Sequence, residues 1–104
     1  MDHIVEITEF EKLLKENKRF FLLKHSITCP VSSKAYDEFQ SFLAETSEEN
    51  GCYLVVQEAR ELSNYIADKF MITHQSPQAF LFQEGKPVWN ESHWRITKQQ
   101  LKEI

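Results

Sequence analysis

The sequence predicts an α/β fold: a mostly parallel central sheet, helices on both faces, and an antiparallel hairpin toward the C-terminus. Three observations point there. Strand-like and helix-like periods alternate along the chain, the pattern of crossover connections between parallel strands. Phe20–Leu23 and Cys52–Val56 are apolar almost without a break, as in strands buried on both faces. Glu84-Gly85-Lys86 separates two further apolar stretches in the manner of a tight hairpin turn.

Taken in order, Ile4-Val5-Glu6-Ile7 reads as a short strand. Thr8-Glu9-Phe10-Glu11 has the form of a capping box, and Phe10, Leu13 and Leu14 give the following helix one apolar face. Phe20 to His25 is the next strand. After it Val31, Ala35, Phe39, Phe42 and Leu43 recur at helical spacing, with Lys34, Asp37, Glu38 and Gln40 on the wet side. Thr46 to Gly51 is a polar break before the strand Cys52–Val56. Leu62, Ile66 and Phe70 mark a third helix, Gln78 to Gln83 a strand, and Val88-Trp89 its returning partner. Thr97 can cap a terminal helix carrying Leu101 and Ile104. The predicted order is β-α-β-α-β-α-β-β-α.

A chain of 104 residues is expected to form one domain, residues 1–104, with one core. Its apolar fraction of 41% with eight Phe, against two Gly and three Pro, describes a packed globule. The net charge is −4 and no basic cluster exceeds two residues, which disfavours nucleic acid and anionic membrane surfaces as partners. No apolar run approaches the ~20 residues of a membrane span, and Met1-Asp2-His3 lacks the basic start of a signal peptide. The expected location is cytoplasmic. Two cysteines, Cys29 and Cys52, are too few for a disulfide scaffold, and a reducing compartment keeps them as thiols.

Cys29 is the candidate catalytic residue. Thr28-Cys29-Pro30-Val31-Ser32 joins a buried strand to an amphipathic helix, and proline suits the first helical position because its missing N–H would be unpaired there anyway. Cys29 then becomes the N-cap, with its sulfur over the free N–H groups and positive end of the helix. That placement favours thiolate over thiol, and thiolate is the nucleophile of disulfide chemistry. Ser76-Pro77-Gln78 opens a later strand, where a proline inside a sheet would be unwelcome. Together these features suggest a thiol–disulfide enzyme with one working cysteine.

The bland reading of Cys29 is a small buried hydrophobe, which the strand–turn–proline–helix setting outweighs. For Cys52 the preference reverses. It begins a strand parallel to the one that ends before Cys29, so the two sulfurs should lie roughly 15–20 Å apart, toward opposite ends of the sheet. A disulfide needs Cα atoms within about 7 Å, and Cys52 reads as structural. The Ser32 hydroxyl is expected within reach of the Cys29 sulfur, in a modest stabilising role. His25 and His74 flank the site, where either could tune the thiolate or contact substrate, but surface histidines are common and the bland reading is favoured. Trp89 and Trp94 read as packing residues. Lys24, Lys34 and Arg60 read equally well as a solvated face or as contacts to an anionic cofactor. With one cysteine near the site, no metal is expected.

The segment Phe70-Met71-Ile72-Thr73-His74-Gln75-Ser76-Pro77-Gln78-Ala79-Phe80-Leu81-Phe82, followed by Glu84-Gly85-Lys86, resembles the cis-proline strand and turn of the thioredoxin superfamily. The Thr-Cys-Pro-Val-Ser signature, Ser76-Pro77-Gln78 and Ser92-His93-Trp94-Arg95-Ile96-Thr97 resemble more specifically the monothiol bacilliredoxins, redox proteins of the bacillithiol system. The likeness spans nearly the whole chain. It implies a thioredoxin-like fold, a cis Pro77 facing Cys29, and a Ser76 backbone able to pair with a bound thiol substrate. Thr28, Pro30, Val31, Ser32, Ser76 and Pro77 become the supporting, thiol-binding residues. Thioredoxin's second active-site cysteine is replaced by Ser32, so no vicinal disulfide can form, and its buried acid has an apolar counterpart in Leu23. A glutaredoxin would carry a lysine shortly before the cysteine and a Gly-Gly-x-Asp clamp for glutathione. Those regions here read Ser26-Ile27-Thr28 and Ser92-His93-Trp94-Arg95.

The resemblance implies a monothiol oxidoreductase whose Cys29 thiolate reduces protein–bacillithiol mixed disulfides. Bacillithiol is then a co-substrate, and the partners are S-bacillithiolated proteins and a low-molecular-weight thiol. Two alternatives belong to other classes: a glutaredoxin-like carrier holding an iron–sulfur cluster between two monomers, and a non-catalytic thioredoxin-fold adaptor.

Overall fold

The computed structural model describes residues 1–104, and its elements follow the predicted order. They are β1 (Asp2–His3), α1 (Ile7–Glu16), β2 (Arg19–His25), α2 (Pro30–Glu45), β3 (Gly51–Val55), α3 (Arg60–Phe70), β4 (Gln78–Gln83), β5 (Lys86–Ser92) and α4 (Lys98–Lys102), with a 3₁₀ turn at His93–Arg95. The five strands form one sheet in the order β1-β3-β2-β4-β5. β1, β3 and β2 are mutually parallel, whereas β4 is antiparallel to β2 and β5 antiparallel to β4. The antiparallel character therefore begins one strand inside the edge.

Alternation along the two central strands sorts the core onto two faces. Phe20 and Leu22 of β2, with Phe80 and Phe82 of β4, meet Phe10 of α1 and Leu62 and Ile66 of α3. Phe21 and Leu23, with Ala79 and Leu81, meet Ala35, Phe39 and Phe42 of α2 and Leu101 of α4. Because β2 and β4 serve both layers, neither could alternate with polar residues, and this explains their unbroken apolar runs. Phe10 anchors its side by edge-on packing against Phe20, Phe70 and Phe82, with ring centroids 5.4–6.4 Å apart.

Three local expectations are corrected. The first strand is Asp2–His3, not Ile4–Ile7: Ile4 adds one bond from its N–H to Tyr53 O, 2.9 Å, and its side chain enters the core. Helix α1 is capped at Glu6 rather than Thr8, because the Glu9 carboxylate accepts the Val5 and Glu6 N–H groups, each at 2.9 Å. The terminal helix ends at Lys102 and leaves Ile104 exposed, although Thr97 caps it as expected by accepting the Gln100 N–H at 3.1 Å.

The β4–β5 turn places both Glu84 (φ 55°) and Gly85 (φ 78°) in the left-handed region that a two-residue hairpin needs. Strand β5 is longer than Val88-Trp89, and its pairing slips between Leu81 and Phe82, where Pro87 stands opposite Phe82.

Candidate active site

Strand β2 delivers the site to one end of the sheet. Cys29 is the N-cap of α2 in an extended conformation, with Pro30 in the first turn. Its carbonyl accepts the Ser32 and Ser33 N–H groups at 3.0 and 3.1 Å, while the Val31 N–H takes no partner within the chain. Cys29 is partly exposed, and its side chain makes no capping hydrogen bond to the first-turn N–H groups.

Ser32 stands in the first turn of α2. Its side chain is fully buried: Oγ accepts the Ser26 N–H at 2.8 Å and meets His25 Nδ1 at 2.9 Å. The hydroxyl thus fastens the end of β2 to the first turn of α2. Gln57, just beyond β3, fastens the same loop from the other side. Its Nε2 donates to Ser26 Oγ at 2.8 Å and Thr28 Oγ1 at 3.3 Å, and its Oε1 accepts the Ile27 N–H at 3.3 Å. Nothing local in the sequence singles out Gln57, because its partners lie about thirty residues away.

The Ser76–Pro77 peptide is cis. Lys24 pairs with Gln78, so this loop stands beside the end of β2 from which the Cys29 turn departs. Buried Gln78 holds the loop by accepting the Gln75 N–H and donating to Thr73 O, both at 3.2 Å. Pro77 O accepts the His93 N–H at 2.9 Å, tying in the turn after β5. Within this frame Ser76 is left free. Neither its N–H nor its carbonyl has a partner in the chain, and its buried Oγ has none.

Lys24 is neither a solvated residue nor an anion contact but is completely buried. Its Nζ donates to Ser63 O at 3.0 Å, lies 3.2 Å from His74 Nδ1, and sits 5.7 Å from the centre of the Phe80 ring. Loss of solvent pulls its pKa down to about 8. Ser63 Oγ also reaches His74 Nδ1 at 3.2 Å. His25 and His74 are half-buried rather than on the surface, and burial lowers the pKa of both, with the charges of Lys24 and Arg60 adding to the effect at His74. Leu23, the neighbour of Lys24, is buried on the opposite face against α2.

Cys52 is buried in the α1/α3 layer, its Sγ 3.6 Å from Phe21 O, and burial pushes its thiol pKa up. It pairs with Leu22, three rungs before His25, or about 10 Å back along the strand from where the Cys29 turn begins. The two cysteines are free thiols. Trp89 is half-buried against the core, but Trp94 is 71% exposed and does not pack as expected. Lys34 and Arg60 are exposed, on α2 and at the start of α3. No group of three or more His, Cys, Asp or Glu converges on a point that could hold a metal ion, and no helix is long and apolar enough to cross a membrane.

Comparison with solved structures places this geometry. A candidate oxidoreductase with a thioredoxin fold superposes with a TM-score of 0.94 at 47% identity, covering 98% of this chain and 90% of its own. Thioredoxin from Fasciola hepatica superposes at 0.81 with 21% identity, covering 99% and 94%, and thioredoxin from Plasmodium falciparum at 0.80 with 13%, covering 99% and 94%. The last two share the fold. The family profile described as monothiol bacilliredoxin BrxC matches residues 2–101. With only Met1 and the last three residues outside that match, the chain belongs to the monothiol bacilliredoxin family and is a redox-active thiol protein of the thioredoxin fold.

Proposed function

We propose that this protein removes bacillithiol from mixed disulfides on cytosolic proteins, with Cys29 as its one working thiol. The observation that carries the reading is that Cys29 is partly exposed at the start of α2 and Ser76 has neither backbone nor hydroxyl partners, while Cys52 is sealed in the sheet.

In the first step the Cys29 thiolate attacks the bacillithiol sulfur of the client's mixed disulfide. A Cys29–bacillithiol disulfide forms, the client sulfur leaves with the bonding pair as a thiolate, and it takes a proton from water. The unpartnered Ser76 backbone supplies one donor and one acceptor to the main chain or amide groups flanking the disulfide, in the manner of strand pairing. In the second step another bacillithiol thiolate attacks the bacillithiol sulfur of the adduct and expels Cys29 as thiolate. Across both steps the client disulfide is reduced to a thiol, and two bacillithiols become bacillithiol disulfide. No second enzyme thiol enters, in keeping with a serine at position 32.

Mass spectrometry after exposure to bacillithiol disulfide and, separately, glutathione disulfide tests the reading. One bacillithiol should add to Cys29 much faster than one glutathione. Equal rates, or an unmodified Cys29, would refute it.

A further inference from the structure

Trp94 is an aromatic side chain that the fold does not use. It stands 71% exposed on the turn His93–Arg95, yet that turn is well fixed. His93 adopts φ 57° and donates its N–H to Pro77 O at 2.9 Å, and the following residue, Ile96, is buried beneath α2. The exposure of the indole is therefore built in and does not come from a fraying segment.

Trp94 forms one wall of a groove of about 230 Å³ whose other walls are Pro30, Val31, Lys34, Ala35 and Ile96. The groove starts at Pro30, the residue bonded to Cys29. Its size lies below the ~300–1,000 Å³ of sites that enclose a drug-sized ligand, so it fits one ring-sized group rather than a length of peptide. Its charge has one sign. Lys34 lines it, and the Arg95 guanidinium lies 5.5 Å from the centre of the Trp94 ring. Neither cation takes part in a salt bridge, and no carboxylate lines the groove, in a chain whose net charge is −4. A large exposed aromatic beside unpaired cations is a recognition surface for a group with an apolar face and negative charge.

We propose that this groove is the subsite for the part of the low-molecular-weight thiol other than its sulfur. The occupant is a compact anionic moiety that lays a C–H face on Trp94 and turns its negative charge toward Lys34 and Arg95. Trp94 and Lys34 are then specificity-determining residues for the thiol that Cys29 accepts. The inference rests on the proposed removal of bacillithiol and adds to it the site that selects the cap.

The test uses one client protein carrying either bacillithiol or 2-mercaptoethanol on the same cysteine. Removal rates are measured for wild type, Trp94→Ala and Lys34→Gln, with circular dichroism to confirm that the exposed-site variants fold. Each variant should lower the bacillithiol-to-mercaptoethanol rate ratio at least fivefold. Equal losses on both caps would assign the groove to the client chain and overturn the subsite, as would an unchanged ratio with no loss on either. A wild-type protein unable to remove bacillithiol would instead defeat the function on which the subsite rests.

Discussion

Ser32 Oγ accepts the Ser26 N–H at 2.8 Å, so the position that carries a second sulfur in dithiol relatives here holds the active-site loop by a hydrogen bond. Both residues are buried. Ser32→Ala should leave the Ser26 N–H without an acceptor, at a cost of about 1–3 kcal/mol. Urea denaturation would read this as a lower midpoint with an unchanged slope, and removal of a thiol cap should slow as the loop loosens. A variant as stable as wild type would show that water replaces the hydroxyl.

Cys29 and Cys52 should behave as independent thiols. Cys29→Ser should abolish thiol exchange, because a hydroxyl offers almost no nucleophile at neutral pH. Cys52→Ala should leave the exchange rate nearly intact while losing about 1 kcal/mol of stability, as a buried sulfur is deleted from the α1/α3 layer. Under mild oxidation with bacillithiol disulfide, non-reducing mass spectrometry should find an adduct on Cys29. An internal bond, two hydrogens lighter, would contradict the three-rung separation in the sheet.

Lys24 should give the protein an alkaline stability profile that its surface lysines do not. Its folded pKa, about 8, lies below the ordinary 10.5. Between those values the unfolded chain keeps a proton that the folded chain has released, so the Lys24 contribution to stability rises with pH across that window. Lys24→Met should be more stable than wild type near pH 7, by on the order of 3 kcal/mol for a shift from 10.5 to about 8. The difference should shrink steadily as the pH approaches 10.5. Parallel stability curves for the two proteins would show that the lysine stays charged inside the fold.

The elements that the sequence announces are those whose faces are set by their neighbours along the chain. Phe20–Leu23 and Ala79–Phe82 are apolar on both sides because two layers of helices cover them, and Cys29-Pro30 and Thr97 mark helix starts through local chemistry. Glu6 was hidden as a cap because its own side chain is an unusual choice there, with Glu9 reaching back to do the pairing. β1 is not legible in the sequence because a two-residue edge strand has too few residues to show a period.

At the candidate site, local chemistry marks Cys29 as the start of α2, where the structure has it, but does not reveal what holds the loop. Lys24 reads as a surface residue until α3 and the loop before β4 close over it, and its partners Ser63 and His74 lie 39 and 50 residues away. Gln57 is invisible for the same reason. Trp94 misleads in the opposite sense. An aromatic side chain is assigned to the interior by its chemistry, and only the fixed backbone from His93 to Ile96 turns it outward.

The outer strand β5 bears on how the protein behaves in a crowded solution. A free edge is a template on which a second chain can add a strand and begin a fibre. Here Pro87 supplies no N–H, the pairing slips beside it, and Lys86 and Glu91 set charge along the strand. At the far margin β1 offers only two residues. With both margins blunted, the sheet resists extension by its own kind. The unpaired backbone at Ser76 lies in the loop before β4, away from both blunted margins of the sheet.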